Sequence, residues 1–131
     1  MVIKKNDQKT ILVIDDDILQ VKTLEKKLPE SGYNILTASK AADGLALAMK
    51  KYPDLIILDV MMPIINGYNL CQLLKNDPKH KHIPVIMLTS RDSEKDKQIG
   101  HDVGADIYLI KPLNIPILLE KIKELLPTAS K

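Results

Sequence analysis

Four short runs of the chain are apolar without interruption: Ile11-Leu12-Val13-Ile14, Leu55-Ile56-Ile57-Leu58, Val85-Ile86-Met87-Leu88 and Ile107-Tyr108-Leu109-Ile110. An alternating strand buries one face, whereas an unbroken run buries both, the mark of a parallel sheet covered by helices. Asn34-Ile35-Leu36-Thr37-Ala38 is more mixed and reads as a fifth strand at a sheet edge. Between these runs the spacing becomes helical. Val21, Leu24 and Leu28 form one stripe that ends before Ser31-Gly32, and Leu45, Ala48 and Met49 form a second that stops at Pro53. A third helix follows Gly67 with Leu70, Leu73 and Leu74. A fourth, over 94–103, has only Ile99 and Val103 as main anchors. A fifth, over 115–126, aligns Leu118, Ile122 and Leu125, with Pro116 in its first turn, where a missing amide does little harm. Asp17 and Ser39 offer side-chain oxygens that can cap the first two helices. Five strands alternating with five helices predict a three-layer α/β fold.

Composition narrows this further. The 131 residues are 45% hydrophobic and 27% charged, a soluble globular balance for one domain. A chain of this size buries roughly two-thirds of its extended surface, so no disulfide or metal staple is needed. Four Tyr with no Phe or Trp mean that the core is aliphatic, and Cys71 and the five Met are expected to pack in it. The net charge of +2 argues for neither a nucleic-acid nor an acidic-lipid partner. The lone Cys71 fits a reducing compartment. No apolar run nears the roughly 18 residues of a membrane span, and the first seven residues lack the apolar stretch of a signal peptide. These features point to the cytoplasm. Residues 1–8 and 128–131 read as polar tails around a single unit over 9–127.

The polar residues that end the strands carry the chemistry. Asp15-Asp16-Asp17 closes the first strand, Asp59 the third, Thr89-Ser90 the fourth and Lys111-Pro112 the fifth. In open parallel sheets, ligands bind at the carboxyl ends of strands, where the strand order reverses. With a 2-1-3-4-5 order, Asp15, Asp16 and Asp59 share one crevice, flanked by Thr89 and Lys111. Converging carboxylates need a cation or raised pKa values. Oxygen-only donors point to a hard ion such as Mg²⁺, with Mn²⁺ as a substitute, rather than to zinc. Mg²⁺ commonly sits on one or two carboxylates, waters and a phosphate, and a Lys with a Thr hydroxyl suits the phosphoryl oxygens. Asp59 is then a candidate nucleophile that forms an aspartyl phosphate. A strand-to-helix turn needs one cap, so Asp17 is assigned to the helix, leaving Asp15 and Asp16 for the crevice.

Ile11-Leu12-Val13-Ile14-Asp15-Asp16-Asp17, Leu58-Asp59-Val60-Met61-Met62-Pro63 with Gly67, Leu88-Thr89-Ser90, and Gly104-Ala105-Asp106-Ile107-Tyr108-Leu109-Ile110-Lys111-Pro112 resemble the receiver domain of two-component response regulators (CheY-like) over about residues 9–127. The resemblance implies a flavodoxin-like (βα)5 sandwich with a five-stranded parallel sheet of order 2-1-3-4-5. It also implies roles for individual residues. Asp59 takes a phosphoryl group from a sensor histidine kinase or histidine phosphotransfer protein. Asp16 and Asp59 ligate Mg²⁺ through carboxylates, Met61 through its backbone carbonyl, and Asp15 mainly through water. Lys111 pairs with the acceptor, Thr89 moves to the phosphoryl group, and Tyr108 changes rotamer with it. Met61 and Arg91 occupy the variable positions that tune dephosphorylation, and the Lys111-Pro112 bond is expected to be cis.

Three function classes are compatible with the fold, and the residues separate them. A signalling receiver, which catalyses only its own phosphorylation and dephosphorylation, accounts for the whole constellation. A phosphohydrolase working through an aspartyl phosphate is the alternative, but would carry an acid/base Asp two residues after the nucleophile, where this chain has Met61. A flavin or dinucleotide binder would need a Gly-rich turn in place of Asp15-Asp16-Asp17. The weakly anchored fourth helix, with the fifth strand and fifth helix, is the expected output face, biased between two states by phosphorylation. The partner of that face is an output protein or effector domain. The receiver itself is expected as a monomer or a weak phosphorylation-dependent dimer, without direct nucleic-acid or membrane contact. No DNA-binding, cyclase or kinase segment follows Leu126, so the chain reads as a stand-alone receiver or as one cut from a longer regulator or hybrid kinase. Lys79-His80-Lys81-His82 reads as a solvated loop.

Overall fold

The computed structural model describes residues 8–62, 66–90, 98–99 and 102–126. Every apolar run forms the expected strand: β1 (Thr10–Ile14), β2 (Asn34–Ala38), β3 (Leu55–Asp59), β4 (Val85–Thr89) and β5 (Ile107–Ile110). All four pairings are parallel, and the order is β2-β1-β3-β4-β5. The reversal between β1 and β3 places the ends of those two strands side by side. Among the described residues the helices bounded at both ends are α1 (Ile18–Glu30), α2 (Ala41–Lys51), α3 (Gly67–Asn76) and α4 (Ile115–Leu125). Helix α4 is thus the fifth helix expected from the sequence. Most of the expected fourth helix, and Arg91, lie outside the described residues. The Val103 amide donates to the Ile99 carbonyl (3.0 Å). No helix among the described residues is long and apolar enough to cross a membrane.

The period-2 alternation of each buried strand builds two core layers. Leu12, Ile14, Ile56, Leu58, Val85 and Met87 face α2 and α3, where they meet Ala48, Leu70, Cys71 and Leu74. Ile11, Val13, Leu55, Ile57, Ile86 and Leu88 face α1 and α4, against Leu24, Leu28, Leu118 and Ile122. Strand β5 is only half-buried despite its apolar run, because as an edge strand it has a neighbour on one side alone.

Helix termini follow local chemistry, with some corrections to the sequence reading. Asp17 caps α1 by accepting from the Leu19 and Gln20 amides, and Asn66 and Asn114 cap α3 and α4. Ser39 does not cap α2: the N-cap position falls one residue later, on the extended Lys40, which makes no side-chain cap, and the helix begins at Ala41. Leu73 is exposed (51%) rather than part of the α3 stripe. At 100° per residue it lies roughly 100° from the centre of the arc through Leu70, Cys71 and Leu74. The methionines are not uniformly core: Met87 and Met62 are buried, but Met61 is 46% exposed at the mouth of the crevice.

The Lys79–His82 stretch is likewise not simply solvated. His80 is 3% exposed, its Nδ1 is hydrogen-bonded to the Asp77 carboxylate, and its ring stacks on Tyr52 at 4.6 Å. Tyr52 reaches it by taking a left-handed conformation (φ 48°) at the end of α2. This clasp lies at the amino edge of the sheet, opposite the crevice.

Candidate functional site

Strand β1 ends by handing Asp15 into the interior, where its amide donates to the Ala38 carbonyl (3.0 Å). The Asp15 carboxylate accepts from the Asp17 amide (2.9 Å) and is almost wholly buried. Strand β3 ends at Asp59, 4% exposed, whose Oδ1 accepts from the Met61 amide (3.3 Å). One oxygen from each of Asp15, Asp16 and Asp59 falls within 4.8 Å of the others; Asp16, unlike the other two, is exposed. The parallel order thus gathers residues from two strand ends into one acidic cluster.

Lys111 arrives from the far side. The Lys111-Pro112 peptide is cis, as expected, and the Lys111 amide donates to the Thr89 carbonyl (2.7 Å). Its ammonium stands 3.2 Å from Asp15 Oδ2 and 3.5 Å from Asp59 Oδ1, bridging both buried carboxylates. Burial alone pulls the Lys111 pKa down, but Asp15 and Asp59 outweigh it and the net movement is upward. Asp59 is pushed up to about 7, first by burial and then by the Asp15 charge, which Lys111 and the Met61 amide offset only in part. Without a cation the crevice therefore holds more negative charge than one ammonium can balance. Hard oxygen donors alone, spaced this closely and short of positive charge, fit a divalent cation such as Mg²⁺.

Of the remaining expected residues, Thr89 is fully buried at the end of β4, paired in register with Ile110. Tyr108 lies deeper in β5, and its hydroxyl is 3.4 Å from that of Tyr68, not in the crevice. It is already half-buried rather than turned to solvent. Tyr68 was not singled out in the sequence, since no local signal marks a contact 40 residues away.

Helix α3 starts against this site. The Gly67 amide donates to the Val60 carbonyl (2.9 Å), and a Cβ at Gly67 would stand 2.4 Å from the Asp59 carbonyl oxygen. Only glycine allows the helix to begin so close to Asp59.

A family model for the response regulator receiver domain matches residues 11–123. The chain belongs to that family. Among solved structures, this receiver is similar to chemotaxis protein CheY4 of Vibrio cholerae, at 34% identity and a TM-score of 0.85, covering 91% of this chain and 99% of that one. It is 39% identical over 125 residues to protein PilG of Pseudomonas aeruginosa, covering 95% of this chain and 93% of PilG. It is also 39% identical over 127 residues to the probable transcriptional regulator ycf27 of Porphyra purpurea, covering 97% of this chain but 51% of ycf27. The receiver therefore spans about half the length of ycf27, and a quarter of the response regulator PleD of Caulobacter vibrioides. Receivers are signalling modules of two-component systems that generally bind Mg²⁺ at an acidic pocket, and this chain has an acidic cluster of Asp15, Asp16 and Asp59. Membership also disfavours the phosphohydrolase alternative.

Proposed function

We propose that this receiver accepts a phosphoryl group on Asp59 from a phosphohistidine of a sensor histidine kinase or histidine phosphotransfer protein. The observation that carries this reading is the Lys111 ammonium, held between the buried carboxylates of Asp15 and Asp59. Asp16 and Asp59 would hold Mg²⁺ through their carboxylates, Met61 through its backbone carbonyl and Asp15 mainly through water. An ion held there would supply positive charge that favours the ionised form of Asp59 and offsets charge on the phosphoryl oxygens. A carboxylate oxygen of Asp59 bonds to phosphorus as the phosphorus–nitrogen bond breaks, and that electron pair returns to the donor imidazole. Lys111 then pairs with a phosphoryl oxygen, and Thr89 moves inward to donate to another. Hydrolysis of the acyl phosphate resets the site, so catalysis is confined to the receiver's own phosphorylation and dephosphorylation.

The donor's approach is open. A groove of ≈ 530 Å³ beside Lys111 is walled by Leu19, Gln20 and Thr23 of α1 and by Leu113. Leu19, 78% exposed, gives its rim the apolar character that a partner helix can cover.

The receiver unit spans 9–127, with tails at 1–8 and 128–131, and works in the cytoplasm. Its output leaves through the segment before β5, β5 itself and α4, toward an output protein or effector domain. Incubation with Mg²⁺ and acetyl phosphate, read by intact mass, is expected to add one phosphoryl group that is absent in Asp59→Asn. Equal labelling of that variant would overturn the assignment.

A further inference from the structure

Tyr68 and Tyr108 meet through their hydroxyls at 3.4 Å. Both rings are half-buried and pack against the core layer of α2 and α3. Tyr108 lies in register with Met87, and Thr89 sits two residues further along β4. Residues two apart on a strand share a face, so Thr89, Met87 and Tyr108 all point toward this layer. Tyr68 has a second attachment. It follows Gly67, whose amide is bonded to the Val60 carbonyl and whose missing side chain lets the backbone sit on the Asp59 carbonyl. The Tyr68 ring therefore leaves from backbone seated on the candidate acceptor and ends on the candidate switch.

We infer that Tyr68 is a positioning residue whose hydroxyl holds Tyr108 half-buried and ties its position to the backbone of Asp59 and Val60. The inference rests on the reading of Asp59 as acceptor and Tyr108 as the moving ring. In this arrangement Tyr108 is reached by two routes, through Thr89 on β4 and through the start of α3. The pair biases Tyr108 inward before any phosphoryl group arrives, so part of the two-state balance is set by a residue outside the crevice.

The test uses the full chain labelled with 3-fluorotyrosine, which places fluorine at only four positions, each assigned by its own Tyr→Phe variant. Tyr68→Phe keeps the ring and removes the hydroxyl. A neutral hydrogen bond's net worth corresponds to a fold-change in the inward-to-outward ratio of Tyr108 of roughly 2- to 10-fold. The Tyr108 resonance is expected to move toward its solvent-exposed position in Tyr68→Phe and to return when beryllofluoride, a stable phosphoryl mimic, is added with Mg²⁺. Tyr52→Phe should leave it in place. A Tyr108 resonance unmoved in a folded Tyr68→Phe protein overturns the inference. Should that variant not fold, nuclear Overhauser contacts between the two rings in the wild-type protein decide, and their absence overturns it. Acetyl phosphate labelling is run in parallel. Labelling of Asp59 that survives in Tyr68→Phe is expected, whereas its absence from the wild type would remove the acceptor reading and, with it, the signalling role of the pair.

Discussion

Asp59→Asn is expected to stabilise the protein at alkaline pH, although it removes the proposed acceptor. The Asp59 carboxyl titrates at about 7 in the folded chain against 3.8 for the ordinary group. Because the folded value lies above the unfolded one, the folded state is favoured while the proton stays on. That contribution is fully present below pH 3.8 and is lost as pH rises through 7. At about 1.4 kcal/mol per pH unit between the two values, the ionised group costs at most about 4 kcal/mol, the attraction to Lys111 being already contained in that shift, so the variant is expected to gain up to about 4 kcal/mol. The assay is urea unfolding followed by far-UV circular dichroism, in the presence of a chelator, from pH 4.5 to 8.5. The gain of Asp59→Asn should be largest at the alkaline end and shrink as pH falls through 7. Mg²⁺ should close the gap from the other side, since a ligand that binds only the folded wild type stabilises it by mass action. A variant less stable than the wild type at pH 8, or a gain independent of pH, would refute the electrostatic account of the crevice.

Lys111→Met leaves two buried carboxylates without their shared cation. The Asp59 midpoint, followed by carboxyl ¹³C NMR without metal, is expected to move further upward; an unchanged or lower midpoint speaks against the bridge. Asp17→Ala removes the α1 cap and should cost about 1 kcal/mol in urea unfolding while leaving Asp59 labelling intact. Impaired labelling would mean that Asp17 belongs to the site after all. Gly67→Ala drives a methyl group into the Asp59 carbonyl and should destabilise by about 2 kcal/mol or more, with α3 displaced at its start. A neutral result would show that α3 can begin elsewhere.

Much of the architecture was legible because its signals are local. Unbroken aliphatic runs have one stable home, the middle of a covered parallel sheet, and those runs fell within a residue or so of the strands. The acidic cluster was legible for a related reason: parallel strands all deliver their last residues to one edge, so Asp15, Asp59, Thr89 and Lys111 reach it however the helices pack. Features that depend on distant side chains were not legible. His80 stands between lysines, and its burial is settled by a Tyr52 ring brought over by a left-handed residue ending another helix. Tyr68 acquires its meaning from Tyr108 across the fold. Leu73 and Met61 are apolar residues that happen to lie off the buried arc and at the rim of the crevice, distinctions of a few tens of degrees that hydropathy does not record.

The alternation of β1, β3 and β4 into two layers makes the sheet a partition wall. Neighbouring residues such as Leu12 and Val13 belong to different compartments, with only backbone between them. Truncating Leu24 in one compartment and Leu74 in the other should give destabilisations that add within roughly 0.5 kcal/mol, whereas pairs inside one compartment should not. A partner gripping α1 and α4 would leave the packing behind the wall as it was. The acidic crevice stands at the wall's carboxyl edge, where the two compartments meet.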